Sequence, residues 1–408
     1  MKAQLRVKKM ILIWMLFSLS AFLFSGCGSK DNELIPLPSP EPAPIVIEQP
    51  PEPEPDPEPE PEVFADENML NGVPIIGIRE LKDGLYQSYL TGEWKDVNVS
   101  MRRPMALMIP NNKAALPQYA ISRADIVFEA AVEGRTTRLV AFFEDYDDLD
   151  HIGPTRSARD YFVYEAIGKN ALYCHWGLAV PYSADLINSD KVDNISVTLA
   201  GINRGGDEAF KRIPRSGYAI EYTGYLTVAG YNKAVDRLGY EKTYSQNFVP
   251  QFTFAAEGTR VEYEGYPRTT KILPGGTSSN AGGYGNGNPY FEYNENDHLY
   301  YRYHFGGKHI DEMNNEQLAY SNVVFQYAHG EVRDSNDYLA FAVHGDGKAQ
   351  VFTNGKVIEG TWKRFGGDLT PAKFYDENDN EIIFNQGKTW ICLIWNNYDE
   401  HVSFDIID

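Results

Sequence analysis

The sequence predicts an α+β protein: an N-terminal domain of the α/β type, with a mixed sheet and helices, followed by a β-rich C-terminal domain. Three observations predict it. Between about residues 70 and 245, short runs rich in Val, Phe and Ala, such as Ile126 to Val132 and Leu139 to Phe143, alternate with segments of helical spacing. From Phe248 onward, short β-type runs are separated by Asn-Gly, Asp-Gly and Gly-Gly pairs, among them Asp346-Gly347 and Asn354-Gly355, as in an antiparallel β domain. The chain has 408 residues, 43% hydrophobic and 13% aromatic, enough for two cores. The expected boundaries are a signal peptide over 1–27, a tether over 28–66, the first domain over 67–247 and the second over 248–408.

The start belongs to neither domain. Lys2, Arg6, Lys8 and Lys9 precede an apolar run from Met10 to Phe24, then Ser25, Gly26 and Cys27. This is the pattern of a secretory signal, too short for a mature membrane helix. Losing residues 1–27 removes four positive charges and no negative one, taking the net charge from −20 to −24. So acidic a chain excludes nucleic acid as a partner. Twelve of the 24 prolines then fall between Pro36 and Pro61, interleaved with Glu. Such a stretch supports neither helix nor sheet, and predicts an extended spacer reaching roughly 100 Å at about 3.1 Å per residue.

In the first domain, Arg103 to Ile109 is expected as a strand, and Ala120 to Asp125 leads into the next. Ser157 with Asp160 three residues later has the form of a capping box opening a helix, with Tyr161, Phe162, Ala166 and Ile167 apolar and Gly168 at its end. Ala171 to Trp176 returns as a strand. Ser183 is placed to cap a short helix through Ile187, Gly201 to Gly206 forms a glycine-rich loop, and Thr223 to Leu238 has helical spacing ending at Gly239. In the second domain, Pro274 to Pro289 lacks the glycine spacing of a phosphate-binding loop and is expected as a flexible surface insertion. Cys174 and Cys392 lie in apolar runs as small buried side chains, and whether they pair stays open.

The ionic residues of the first domain concentrate between Glu129 and Gly177. Arg135 and Arg138 flank the Gly134 turn, and Arg156 and Arg159 open the expected helix beside free backbone N–H groups. With Glu129, Glu133, Asp160 and His175 they form a candidate ligand-binding set, because guanidinium forks hold phosphate or carboxylate bidentately. The competing reading is a structural ion-pair network. The acidic loop from Glu144 to His151 fails the EF-hand spacing, and His304, His309 and Asp311 are a weak metal set, so no metal and no cofactor are expected.

RPMALMIPNN, SRADIVFEA, EGRTTRLVAFF, IGPTRSARDYF and YCHWG in the first half, with GGKHID, QLAYSNVVFQ, VFTNGKVIEGTWKR, TPAKFYDENDNEI and NQGKTWI in the second, resemble the YerB-like lipoproteins, a bacterial family with two domains of unknown function. FSGC likewise resembles a lipobox, with Phe24 where Leu is usual. The resemblance implies a protein lipidated at Cys27 and held by that anchor on the extracytoplasmic face of the cell membrane. A shorter similarity over residues 103–165, to the LytR-CpsA-Psr phosphotransferases, carries no function by itself. Together these lead to the expectation of an envelope binding or scaffold protein whose arginines take a phosphate-bearing envelope component or an envelope protein. The alternative is a phosphoryl or glycosyl-phosphate transferase acting on a lipid-linked envelope substrate.

Overall fold

Residues 68–197 and 203–407 are described by the structure, a computed structural model. The expected signal peptide with Cys27, the expected tether, and residues 201 and 202 of the expected glycine-rich loop lie outside the described residues. The fold is α+β and rich in strand, as expected. Among the described residues no helix is long and apolar enough to cross a membrane.

In the first half, strands β1 (Met105–Pro110), β2 (Ile126–Val132) and β3 (Thr136–Phe143) are followed by helix α1 (Asp160–Gly168), β4 (Leu172–Trp176), α2 (Val180–Ile187), β5 (Asn194–Val197), β6 (Asn203–Arg204) and α3 (Val228–Leu238). The second half adds β7 (Lys271–Leu273), β8 (Tyr290–Asn294), β9 (Leu299–His304), β10 (Asn322–Ala328), β11 (Gly345–Thr353), β12 (Lys356–Arg364), β13 (Lys373–Asp376) and β14 (Thr389–Trp395). One sheet of 11 strands runs β6-β5-β4-β1-β3-β2-β14-β10-β11-β12-β13. Strands of both halves therefore share it, joined where β14 lies parallel between β2 and β10. A second sheet containing β7, β8 and β9 lies outside this path.

Every residue of β2 is buried, and so is every residue of β3 after Thr136. The two faces of the sheet carry two cores: Phe128, Phe142 and Val140 pack with Phe162 of α1, and Val127, Leu139 and Ala141 pack with Tyr231 of α3. Continuous apolar runs are what burial on both faces demands. The β11–β12 hairpin turns at Asn354 (φ 48°) and Gly355 (φ 68°), both left-handed, as a two-residue hairpin requires.

Several local expectations are corrected. Ser157 does not cap α1; Arg159 occupies the cap position without a side-chain bond, and Ser157 Oγ donates to the Trp176 carbonyl at 3.2 Å. Ser183 lies inside α2, which begins at Val180 with Pro181 in its first turn. Thr223 to Leu238 divides into a strand, Gly224–Thr227, and α3, because Gly224 to Thr227 pairs with Phe210–Arg212 and His151–Ile152. Asp346-Gly347 is not a turn but part of β11, paired with Lys363 and Trp362. The glycine-rich segment after Pro274 is seated on the sheet: Tyr284 is buried and donates its hydroxyl to the Glu129 carbonyl at 2.9 Å. Cys174 and Cys392 are both buried and free.

Candidate functional site

The carboxyl ends of β1, β2, β4 and β5 point the same way, and the segment Thr155 to Ala158 is wedged among them. The Arg156 N–H donates to the Met108 carbonyl at 3.0 Å, and the Trp176 N–H donates to the Arg156 carbonyl at 3.1 Å. The end of β1 and the end of β4 are thereby held apart by an extended strip that delivers Arg156 and Arg159 to the strand ends. Neither arginine is helical, since α1 starts only at Asp160.

Alternation along paired strands decides which side chains share a face. Ala106 is level with Tyr173 and with Phe142, and Pro110 with Arg138, so Arg138, Tyr173 and His175 all lie on the face that α1 covers. Arg138 is 8% exposed, and its one bond to the protein runs from Nη1 to the Ser157 carbonyl at 2.6 Å. It has no ion pair with a carboxylate among the described residues. Burial, and then the neighbouring charge of Arg159, push its pKa down to about 9, an uncommon condition for a guanidinium. Arg156 packs over the Tyr222 ring at 5.1 Å and stands 3.6 Å from Glu221, a loose pair.

Arg159, by contrast, is satisfied. Its Nε and Nη2 donate to the two carboxylate oxygens of Glu133 at 2.7 and 2.6 Å, and Nη1 donates to the Ala158 carbonyl. Asp160 turns away to Arg333, at 2.5 Å. His175 is wholly buried, its Nδ1–H donating to the Gly177 carbonyl at 2.7 Å, which leaves Nε2 unprotonated and without a partner. Burial pushes its pKa down to about 4. The Tyr173 hydroxyl and Thr155 Oγ1 are also buried without partners.

Two members of the expected set lie elsewhere. Glu129 alternates to the opposite face of β2 and pairs with Arg302 of β9, while also accepting from Asn111, Thr137 and the Trp390 indole. Arg135 sits exposed at the tip of the β2–β3 turn with φ 54°, outside the Arg138 group. The group that does assemble is Arg138, Arg156, Arg159 and Glu133, with Tyr173, Tyr222 and Glu221 added. Tyr173 was within reach of the sequence, since it stands two residues before His175 in one strand. Tyr222 and Glu221 come from a segment that sequence spacing does not connect to the arginines.

The weak metal set does not converge. His309 accepts from Arg302 Nε at its Nδ1 and donates through Nε2 to Gln118, while Asp311 accepts backbone N–H groups of Ala120, Ser122 and Met313. The acidic loop is an ion-pair patch, with Asp147 on Arg102 and Asp148 on Arg123.

Comparison with known proteins places this chain in a family. Residues 90–241 match the N-terminal domain, and residues 281–391 the C-terminal domain, of the family described as protein of unknown function (DUF3048). The chain is 28% identical over 315 residues to YerB, a candidate lipoprotein of Bacillus subtilis (strain 168), covering 75% of this chain and 85% of that one. The crystal structure of YerB from Bacillus subtilis superposes with a TM-score of 0.64 at 24% identity, over 78% of this chain and 99% of the other. The fold is thus a two-domain α+β fold rich in strand. The chain belongs to the YerB-like, DUF3048 family.

Proposed function

We propose that this protein is an envelope lipoprotein, anchored through Cys27 on the extracytoplasmic face of the cell membrane, that binds a phosphate-bearing envelope component at Arg138 and Arg156. The name of the YerB relative supports the anchor, together with the charged start, apolar run and FSGC of the sequence. One observation carries the binding reading: Arg138 is buried with only a carbonyl as partner, beside two further guanidinium groups. A buried charge without a counter-charge is costly, and an anionic ligand would supply what the described carboxylates do not. Arg159, already neutralised by Glu133, would frame the site. His175 is sealed from solvent and out of reach of a ligand, and binding is the reading we carry forward.

Calorimetric titration with inorganic phosphate and with glycerol 3-phosphate tests it. Binding to the parent and its loss in Arg138→Met with Arg156→Ala are expected, with Arg156→Ala alone weakening it at least about tenfold. No heat from either anion in a folded parent would overturn the reading.

A further inference from the structure

The glycine-rich strap that follows Pro274 bounds a cavity of about 270 Å³ at the tip of the β2–β3 turn. The strap lies this close to the sheet because Gly283 lacks a side chain. A Cβ on Gly283 would stand 2.7 Å from the Thr136 carbonyl and 2.9 Å from the Ala131 Cβ, so backbone packs directly on the sheet. Tyr284 then pins it through the Glu129 carbonyl. The resulting wall is fixed, and Ser279 and Asn280 bring uncharged polar groups to its rim.

Facing the strap is an aromatic corner. Trp395 donates its indole N–H to the Gly330 carbonyl at 3.0 Å, and Tyr398 meets it edge to face, with centroids 5.1 Å apart. Rings held in this way offer apolar surface at little entropic cost, with polar edges beside it. Across the cavity stands Arg135, which makes none of the ion pairs of the described residues. Its left-handed backbone, at φ 54°, is a conformation that Asn or Gly adopts at less cost than Arg. The other charged group of that turn, Glu133, is already held by Arg159. The cavity therefore combines fixed aromatic surface, neutral hydrogen-bonding groups and two charges outside the ion pairs of the described residues, the Arg135 guanidinium and the Asp337 carboxylate.

We infer that this cavity is a saccharide subsite for a single pyranose ring bearing an anionic substituent, the ring lying against Trp395 and Tyr398 and the anion on Arg135. Its volume falls just below the range of about 300–1,000 Å³ for sites of larger ligands, which matches one ring rather than a chain. The assignment does not rest on the Arg138 group, which shares no free cation with it.

Three probes, titrated calorimetrically into the full chain in detergent, test it: N-acetylmuramic acid with a carboxylate, N-acetylglucosamine 6-phosphate with a phosphate, and N-acetylglucosamine as the neutral ring. At least one anionic sugar binds at least about tenfold tighter than the neutral one, and which of them does so identifies the substituent. Arg135→Asn, which keeps the left-handed backbone, abolishes that preference. Tyr398→Leu weakens binding of all three sugars, the neutral ring included. Equal affinity for charged and neutral rings, no binding of any probe, or an unaltered preference in Arg135→Asn would each overturn the inference.

Discussion

The carboxylate of Glu129 and the guanidinium of Arg302 meet at 3.0 Å with neither side chain exposed, 173 positions apart in the chain. Arg302 also lies over the Trp390 ring at 4.1 Å, so strands from both halves converge on this pair. Removing one partner strands the other charge in the core. Glu129→Gln is expected to cost about 3–5 kcal/mol in urea unfolding, with both halves still melting in one transition. Two separated transitions in the parent would refute this coupling.

Stability should fall in mild acid. His175, His304 and His309 are held neutral in the fold, their pKa values lowered chiefly by burial, that of His175 to about 4. Between pH 6.5 and about 4 the unfolded chain takes up protons on these groups and the folded chain does not. The stability they contribute is complete above 6.5 and is lost as the pH falls through that window. His175→Gln should flatten the melting temperature against pH there.

Glu144 works in the opposite sense. Burial raises its pKa to about 7, against the pull of Lys95, so its favourable contribution is present below its ordinary value near 4.5 and is lost as the pH rises through 7. Glu144→Gln should therefore make the loss below pH 6.5 steeper. An unchanged slope would show that Glu144 takes up no proton in this range.

Gly283→Ala places a methyl group against the Thr136 carbonyl and the Ala131 Cβ. We expect a loss of about 1–3 kcal/mol as the strap lifts, the usual range for overpacking, and faster proteolysis within residues 274–289 than in the parent.

Cys27→Ser should release the protein from the membrane fraction or leave it unprocessed. Fractionation and migration identical to the parent would disprove anchoring through this residue.

Much of the fold was legible because its signals are local. β2 and β3 declare themselves as continuous apolar runs, and Asn354-Gly355 supplies the left-handed pair that its hairpin needs. Errors arose where tertiary partners decided. Ser157 has the form of a cap, but the open end of β4 claims its hydroxyl. Asp346-Gly347 has the form of a turn, yet β12 extends far enough to pair with it. At the site, four arginines in one stretch suggested one pocket. Strand alternation and the Glu133 carboxylate instead divide them into the buried Arg138, the neutralised Arg159, the half-exposed Arg156 and the isolated Arg135. The uncharged partners of the strap were invisible, since nothing in a run of Gly, Ser and Asn names the surface it will cover.

The place of β14 bears on how the chain reaches its fold. Its pairing with β2 joins Cys392 to Glu129, and the Trp390 indole bonds a carboxylate 261 positions earlier. Synthesis runs from the first residue, so β2 must wait with one long apolar edge open until β14 arrives. Contacts of such separation form slowly, and an open edge invites pairing with other chains. The period of greatest exposure to aggregation thus ends only when residues 389–395 are in place, and a chain cut short by its last few dozen residues would lose the middle of its sheet, not its margin.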